Sequence, residues 1–274
     1  MNSGPANGLI EVSGVRLYYE MYGGGPLVLF ISGTTSDAGQ FERVARLLAD
    51  EFTVVTYDRR GNSRSSSFPA GRNETSMDEQ ADDAAGLIRA LDLGPAAVFG
   101  TSGGAVILLN LLLRHPEVLR GAMVHEPSLV PVVSNAEEVA AMIKLITEDS
   151  SVKAHPRGTM ELFLRQNIGA ANFENLVPEL RERMLGNAEV TFFIELAAFS
   201  SYVPDAKALA DVEVPVQVVA GADSRGAYYY EAAEWAAKQL GTKLQEIPGA
   251  HTPYFDRPKE MVQAIRPFLR RVSR

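Results

Sequence analysis

The chain has 274 residues, of which 46% are hydrophobic and 22% charged, and its formal net charge is −8. This length and composition fit one large globular domain with an insertion. The acidic balance argues against a nucleic-acid-binding surface. The lack of cysteine excludes thiol nucleophiles, disulfides and cysteine-based metal sites.

No targeting or membrane-spanning segment is evident in the sequence. The first residues, MNSGPANGLIEV, contain neither a basic segment nor an apolar run. No apolar stretch approaches the roughly 20 residues of a membrane-spanning helix. None of the four histidines has a histidine partner at i, i+4, so the helical zinc motif is absent. We therefore expect a cytoplasmic protein that binds no nucleic acid, no membrane and no metal.

Strand and helix patterns alternate along most of the chain. The first strands are predicted at 9–12 and 15–22, as a hairpin, and then at 27–31 and 52–57, with a helix at 40–50 between the last two. Ser76 and Glu79 match a capping box, which predicts a helix from there to about residue 91. Such alternation is typical of an α/β fold with a mostly parallel sheet and right-handed crossovers. Further strands are predicted at 95–99, 121–125, 214–220 and 243–247, and helices at 105–113, 228–240 and 258–272.

Residues 131–211 interrupt this alternation. They contain helical patterns and no convincing strand. We predict that 1–130 and 212–274 form the core domain and that 131–211 form a helical cap over the strand ends. Most aromatic residues of this cap are expected to pack within it. We expect Phe192 and Phe199, together with Tyr254 of the core, to contact the substrate.

Residues 100–104 read GTSGG, which matches the pattern G-x-S-x-G. They lie between a predicted buried strand and a predicted helix, where a sharp turn exposes the central serine. Gly100 and Gly104 lack a Cβ atom and let strand and helix approach closely. We predict Ser102 as a nucleophile and the N–H of Gly103 as a donor to an oxyanion.

A serine nucleophile needs a base, and His251 is the best candidate. It follows the last predicted strand, in the loop PGAH, and the ends of parallel strands meet at one edge of the sheet. Two carboxylates could orient its imidazole, because each follows a strand of that sheet. They are Glu126, after the strand at 121–125, and Asp223, after the strand at 214–220.

An oxyanion hole requires a second backbone donor near the end of the third strand. Residues 31–35, ISGTT, occupy that position. We expect the N–H of Thr34 or of Gly33 to join that of Gly103.

Together these motifs resemble those of α/β-hydrolase-fold enzymes. The resemblance covers nearly the whole chain and implies a mostly parallel sheet flanked by helices, with an inserted helical cap. It is much less specific for substrate, because this fold hosts many chemistries. The similar segments are ISG at 31–33, YDRRGNSRS at 57–65, GTSGG at 100–104, RHPEVLRG at 114–121 and PGAHTPYFDRP at 248–258.

Within that superfamily the chain resembles the zearalenone-lactonase-like group. Those enzymes carry a His-Glu-Pro or His-Glu-Leu segment whose glutamate completes the triad, and residues 125–127 read HEP here. The resemblance therefore implies Glu126, while Asp223 stays the alternative. Asp223 lies one residue before the position of the usual late acid, which Ser224 occupies. Enzymes of the zearalenone-lactonase-like group use a tryptophan of the cap near their ligand, and the predicted cap here has none. The particular substrate of those lactonases is therefore not implied.

We therefore expect a serine hydrolase of the carboxylesterase or lactonase type that works through an acyl-enzyme and needs no cofactor. Its partner would be a small-molecule ester or lactone, and a homodimer is left open. One alternative is hydrolytic C–C cleavage of a diketone-like substrate by the same residues. Another is a ligand-binding member of the fold without catalysis. Ser102 argues against epoxide hydrolase or dehalogenase activity, since those relatives use aspartate at this position.

Overall fold

A computed structural model describes residues 4–68, 71–72 and 74–274. Its centre is an eight-stranded sheet with the order β1-β2-β4-β3-β5-β6-β7-β8. The hairpin β1-β2 joins the sheet by antiparallel pairing of β2 with β4, and all later pairs are parallel. The strands are β1 Ala6–Val12, β2 Val15–Tyr22, β3 Leu27–Ile31, β4 Thr53–Tyr57, β5 Ala96–Thr101, β6 Leu119–His125, β7 Val216–Gly221 and β8 Leu244–Ile247.

Helices cover both faces of the sheet and bury them in two separate hydrophobic clusters. On β3, for example, Leu29 packs into one cluster and Phe30 into the other, as the alternation of side chains along a strand requires. Helices α2, α3 and α12 pack on the first face, and α1 and α14 pack on the second. The core helices are α1 Glu42–Leu48, α2 Met77–Leu91, α3 Gly103–Arg114, α12 Tyr228–Gln239, α13 Pro253–Asp256 and α14 Pro258–Val272.

A helical segment, residues 130–210, connects β6 to β7. Its contacts with the core include the loops after β3 and β4: Arg183 Nε lies 2.5 Å from Asp37 Oδ2, and the N–H of Ser63 donates to Asn187 Oδ1 at 2.8 Å. The segment is thereby fixed to the edge of the sheet at which the parallel strands end. Its helices are α4 Ala136–Glu148, α5 Ser150–Ala154, α6 Pro156–Asn167, α7 Ala170–Glu174, α8 Pro178–Gly186, α9 Ala188–Val190, α10 Leu196–Ser201 and α11 Ala206–Ala210, with a π-helical turn at Thr191–Glu195.

The α/β fold expected from the alternation of patterns is confirmed, and the strands lie within about three residues of their predicted bounds. The capping box is also observed, since the N–H of Glu79 donates to Ser76 Oγ at 3.2 Å. The sequence missed α5, α7, α9, α11 and α13, because helices of three to five residues are too short to show a helical period. The helix predicted at 190–202 is interrupted by the π-helical turn. Within the described part of the chain, no helix has the length and apolarity needed to cross a membrane.

The turn from β5 into α3 brings the helix very close to the strands near the sheet edge. A Cβ atom on Gly104 would lie 2.3 Å from the carbonyl oxygen of Ile31, and one on Gly100 would lie 2.4 Å from that of Gly104. Both neighbours are backbone atoms, which cannot move aside as a flexible side chain could. These glycines therefore set how closely α3 sits against β3 and β5.

We predict that Gly104→Ala destabilises the protein by about 2 kcal/mol or more, because the new methyl group meets backbone in a packed core. Gly158→Ala is the matched control: Gly158 lies in α6 with no atom within 4 Å of an added Cβ. That change should be neutral or stabilising by up to about 1 kcal/mol, since alanine favours a helix over glycine. Urea unfolding measures both, and equal effects would contradict this account of the turn.

Candidate active site

Ser102 lies at the apex of the turn between β5 and α3. Its backbone is left-handed, with φ 55° and ψ −122°, which is uncommon for a residue with a Cβ atom. Its N–H donates to the carbonyl of His125 at 3.0 Å, which ties the turn to the end of the neighbouring strand β6. The side chain borders a cavity, and Ser102 Oγ lies 2.9 Å from Ser128 Oγ.

The structure brings Glu126 and His251 together. Nδ1 of His251 lies 2.6 Å from Glu126 Oε2, and the second carboxylate oxygen accepts the N–H of Gly221 at 2.8 Å. Glu126 follows β6, also has a left-handed backbone with φ 45°, and its side chain is fully buried. His251 follows β8 and borders the same cavity as Ser102. A carboxylate, an imidazole and a serine hydroxyl thus converge at one edge of the sheet.

The electrostatics of this pair favour an ionised carboxylate. Burial by itself would raise the pKa of Glu126, but the adjacent imidazoles and the hydrogen bond from His251 outweigh burial and lower it. Next to this pair, burial lowers the pKa of His125 to about 4, although the negative charge of Glu126 by itself would raise it. His125 is therefore neutral near pH 7, with Nδ1 2.8 Å from Thr101 Oγ1.

Asp223 stands apart from this pair. Its side chain is 57% exposed, and its carboxylate lies 3.3 Å from the guanidinium of Arg257. Its backbone N–H donates to the carbonyl of Gly249, so the residue helps to shape the loop that carries His251. Of the two candidate acids, only Glu126 contacts the imidazole in the described residues.

The loop after β3 lies close to Ser102 and to the start of α3. Gly33 lies so close that an added Cβ would be 3.5 Å from Ser102 Oγ. The backbone N–H groups of Thr34 and Gly103 donate to no other atom in the described part of the chain. Both residues line the cavity, and the carbonyl of Gly33 instead points away to a buried arginine, Arg59.

The cavity between the sheet edge and the helical segment has a volume of about 120 Å³, several times the roughly 10–15 Å³ that one water needs. None of the described residues lining it is Asp, Glu, Lys or Arg. Phe199 and Tyr254 belong to the lining, together with Phe163 of α6 and aliphatic side chains of α4. Phe192 does not: it is 1% exposed and packs against Phe163 and Phe193 inside the helical segment. The sequence could not separate these phenylalanines, because all lie on helices of similar pattern.

Two hydroxyl groups at the site were missed by sequence reasoning. Ser128 Oγ contacts Ser102 Oγ, and the hydroxyl of Tyr228 lies 3.5 Å from Ser128 Oγ. The ring of Tyr229 lies 4.1 Å from that of His251, centroid to centroid. The one sequence signal that could have placed Ser128 at the site was its position, two residues after Glu126. Within the described residues, no group of three or more His, Cys, Asp or Glu side chains could hold a metal ion.

A family model described as the Alpha/beta hydrolase family matches residues 28–264. The chain therefore belongs to the alpha/beta hydrolase family. It is 36% identical over 270 residues, 96% of each chain, to an uncharacterized hydrolase, YraK, of Bacillus subtilis (strain 168). It is 26% identical over 254 residues, 90% of each chain, to a zearalenone hydrolase of Bionectria ochroleuca.

Among solved structures, a thermophilic esterase from Thermogutta terrifontis is similar, with a TM-score of 0.81 and 21% sequence identity. The match covers 98% of this chain and 100% of that one, and at this identity it shows the fold. The expected α/β-hydrolase fold and the resemblance to the zearalenone-hydrolase-like group are thus confirmed. The family and its relatives support a hydrolytic function.

The buried neutral His125 makes the protein sensitive to acid. Its pKa of about 4 in the folded state lies below the ordinary value of 6.5, so the unfolded chain binds more protons between these values. Stability should fall as the pH drops through this window, and His125 should account for about 2 kcal/mol of the loss between pH 7 and pH 5. We predict that His125→Asn removes this share, as measured by urea unfolding at both pH values.

The matched control is His155→Asn, because His155 is exposed. It should leave the pH dependence of unfolding as in the wild type. If His125→Asn lost as much stability between pH 7 and pH 5 as the wild type, His125 would not be held neutral by burial.

Proposed function

We propose that the protein is a serine hydrolase of carboxylic esters or lactones with the triad Ser102, His251 and Glu126. The observation that carries this proposal is the contact of His251 Nδ1 with the buried Glu126 carboxylate, beside the cavity that Ser102 borders. Because the carboxylate accepts from Nδ1, the neutral imidazole keeps its proton there and leaves a lone pair on Nε2. That lone pair is the base that a serine nucleophile requires.

In the proposed reaction, Ser102 Oγ attacks the carbonyl carbon and its proton passes to His251 Nε2. The tetrahedral intermediate collapses, and the imidazolium gives that proton to the departing alkoxide oxygen. A water then attacks the acyl-enzyme and loses a proton to Nε2; the imidazolium gives this proton to Ser102 Oγ as the acyl–oxygen bond breaks, and the acid is released. The ionised Glu126 stabilises the imidazolium in both halves, consistent with its lowered pKa. In a lactone, the leaving oxygen stays attached to the acyl chain as a hydroxyl group, so the second step releases a single hydroxy acid.

The backbone N–H groups of Thr34 and Gly103 are the proposed oxyanion donors. The two residues lie close together, since a Cβ atom added to Gly103 would be 3.2 Å from Thr34 Cγ2, and both line the cavity with Ser102. Fixed donors of this kind stabilise the negative charge that develops on the carbonyl oxygen. Gly33 contributes the close approach of its loop to Ser102 and the carbonyl that faces Arg59, and Thr34 contributes the donor.

Ser102 Oγ is engaged by Ser128 in this structure. We infer that the hydroxyl rotates about its Cα–Cβ bond from Ser128 toward Nε2 when substrate is bound. Catalytic hydrogen bonds are often formed only in the substrate complex. Ser128 would then hold the nucleophile in a defined resting position.

The cavity lining supports a neutral, largely apolar substrate. A charged substrate would be desolvated there without a charged partner, which is unfavourable. Phe199 and Tyr254 offer apolar surface beside Ser102, and the helical segment acts as a cap that encloses the substrate. The zearalenone hydrolase among the relatives supports a lactone within this class. We propose a lactone or ester substrate and not zearalenone itself, because the cap tryptophan of the zearalenone-lactonase-like group has no counterpart here. The single tryptophan of this chain, Trp235, lies in α12 of the core.

The proposal predicts turnover of aryl esters or lactones by the wild type and a kcat lower by about three orders of magnitude or more in Ser102→Ala. Removing the nucleophile leaves only binding and the oxyanion donors. Steady-state kinetics on a panel of aryl esters, lactones and diketones measures this, with the thermal midpoint of each variant as a folding control.

The outcomes are distinct. Hydrolysis of diketones alone would replace the ester reaction by C–C bond cleavage on the same residues. No turnover of any panel member, or a kcat of Ser102→Ala equal to that of the wild type, would contradict a serine hydrolase. A small-molecule ester or lactone as the partner, with a homodimer left open, and a cytoplasmic location remain part of the proposal.

A further inference from the structure

Arg59 is a buried charge that the triad does not use. It follows β4 and its side chain is fully buried. Its guanidinium forms a two-point contact with the equally buried carboxylate of Glu195, through Nη1 and, at 3.1 Å, through Nη2. Nη2 also donates to the carbonyl oxygen of Gly33 at 3.1 Å. One cation thus joins the loop after β4, the helical segment and the loop beside Ser102.

The contact with Gly33 fixes the direction of a neighbouring donor. The carbonyl of Gly33 and the N–H of Thr34 belong to one planar peptide unit, and the described chain has no cis peptide. In a trans peptide these two groups point in opposite directions. Holding the carbonyl on the buried guanidinium therefore turns the N–H of Thr34 away from Arg59, and Thr34 lines the cavity.

The reverse orientation of this peptide would be unfavourable at both ends. The N–H of Thr34 would meet the guanidinium, which has only donors, and the Gly33 carbonyl would lose its charged partner. The carbonyl would instead present its own negative end to the cavity. Arg59 therefore selects the peptide orientation that can stabilise an oxyanion.

The helical segment holds Arg59 in place. Glu195 ends the π-helical turn, and its Oε1 also accepts from Asn62 Nδ2 at 2.9 Å. One turn later, the ring of Phe199 lies 5.4 Å from the guanidinium carbon of Arg59. The same ring packs so closely on Gly103 that an added Cβ there would be 2.8 Å from it. A single stretch of the helical segment therefore contacts both Arg59, which holds the peptide of one proposed oxyanion donor, and Gly103, which carries the other.

We propose that Arg59 is a positioning residue for the oxyanion hole and that Glu195 places it, which couples the helical segment to the donor of Thr34. This inference rests on the proposed function, since it concerns the same oxyanion. Neither residue touches the substrate, and each acts through the Gly33–Thr34 peptide.

The test compares Arg59→Lys with Arg60→Lys. A lysine ammonium is a compact charge and cannot hold Glu195 at two points and Gly33 together. We expect Arg59→Lys to lower kcat on the best ester of the panel about 10-fold to 100-fold, with KM changed less than about threefold. Affinity for a trifluoromethyl ketone, whose adduct with Ser102 carries the oxyanion, should fall by a similar factor.

Arg60 is the matched control because it is the adjacent, equally buried arginine with its own carboxylate, Asp83, at 2.6 and 2.7 Å. It makes no contact with Gly33 in the described residues. Arg60→Lys should lower the unfolding midpoint to a similar extent and leave kcat and the ketone affinity per folded molecule unchanged.

Two further variants cover poor folding of Arg59→Lys. Glu195→Gln keeps the shape of the side chain and weakens its hold on Arg59, so a smaller fall in kcat is expected. The double variant Arg59→Met/Glu195→Leu removes both charges and leaves neither unpaired, which favours folding. It should still lose kcat and ketone affinity.

Unchanged kcat and ketone affinity in a folded Arg59→Lys, Glu195→Gln or Arg59→Met/Glu195→Leu variant would overturn the inference. An active wild type would leave the proposed function intact in that case. Equal losses in Arg59→Lys and Arg60→Lys would also overturn it, because they would indicate a general effect of destabilisation. A wild type without turnover and without ketone binding would instead sink the proposed function itself.

Discussion

The Glu126 carboxylate is the point on which the arrangement of the site depends. It is fully buried at the end of β6, and its two oxygens bind the N–H of Gly221 at the end of β7 and the imidazole of His251 after β8. Its own N–H donates to Val219. Three strand ends are therefore joined through one side chain, and a buried carboxylate is stable only with such partners. If one partner were lost, the charge would remain buried and unpaired.

The backbone is strained at the two positions where the chemistry is proposed. Ser102 and Glu126 follow the adjacent strands β5 and β6, and both adopt a positive φ without being glycine. Each such conformation costs on the order of 1–3 kcal/mol and persists only where the surroundings enforce it. Here the enforcement comes from hydrogen bonds between the two turns, such as Ser102 N–H to the His125 carbonyl, and from the close packing at Gly104. The helical segment adds the remaining constraints through Glu195 and Phe199.

The sequence alone was sufficient to predict those features of the fold that depend on residue type. The glycines around Ser102 and the apolar runs of β3 to β6 reflect local sterics and burial, and they predicted the fold and the sharp turn at Ser102. The choice between Glu126 and Asp223 could not be made from residue types, since both follow a strand. It depends on burial and on a contact formed 125 residues apart, which only the folded chain shows. The same holds for Ser128, for Arg59 and for the distinction between Phe192 and Phe199, because tertiary packing decides which side chains reach a cavity.

The most direct test of the account is the rate at which a fluorophosphonate labels Ser102 in the wild type, Glu126→Gln and Asp223→Asn. This rate reports the reactivity of the hydroxyl itself and needs no knowledge of the natural substrate. The account predicts stoichiometric labelling of the wild type, a rate lower by about two orders of magnitude in Glu126→Gln, and a rate near that of the wild type in Asp223→Asn. Slow labelling in Asp223→Asn with normal labelling in Glu126→Gln would contradict the proposed triad, as would a folded wild type that does not label at all.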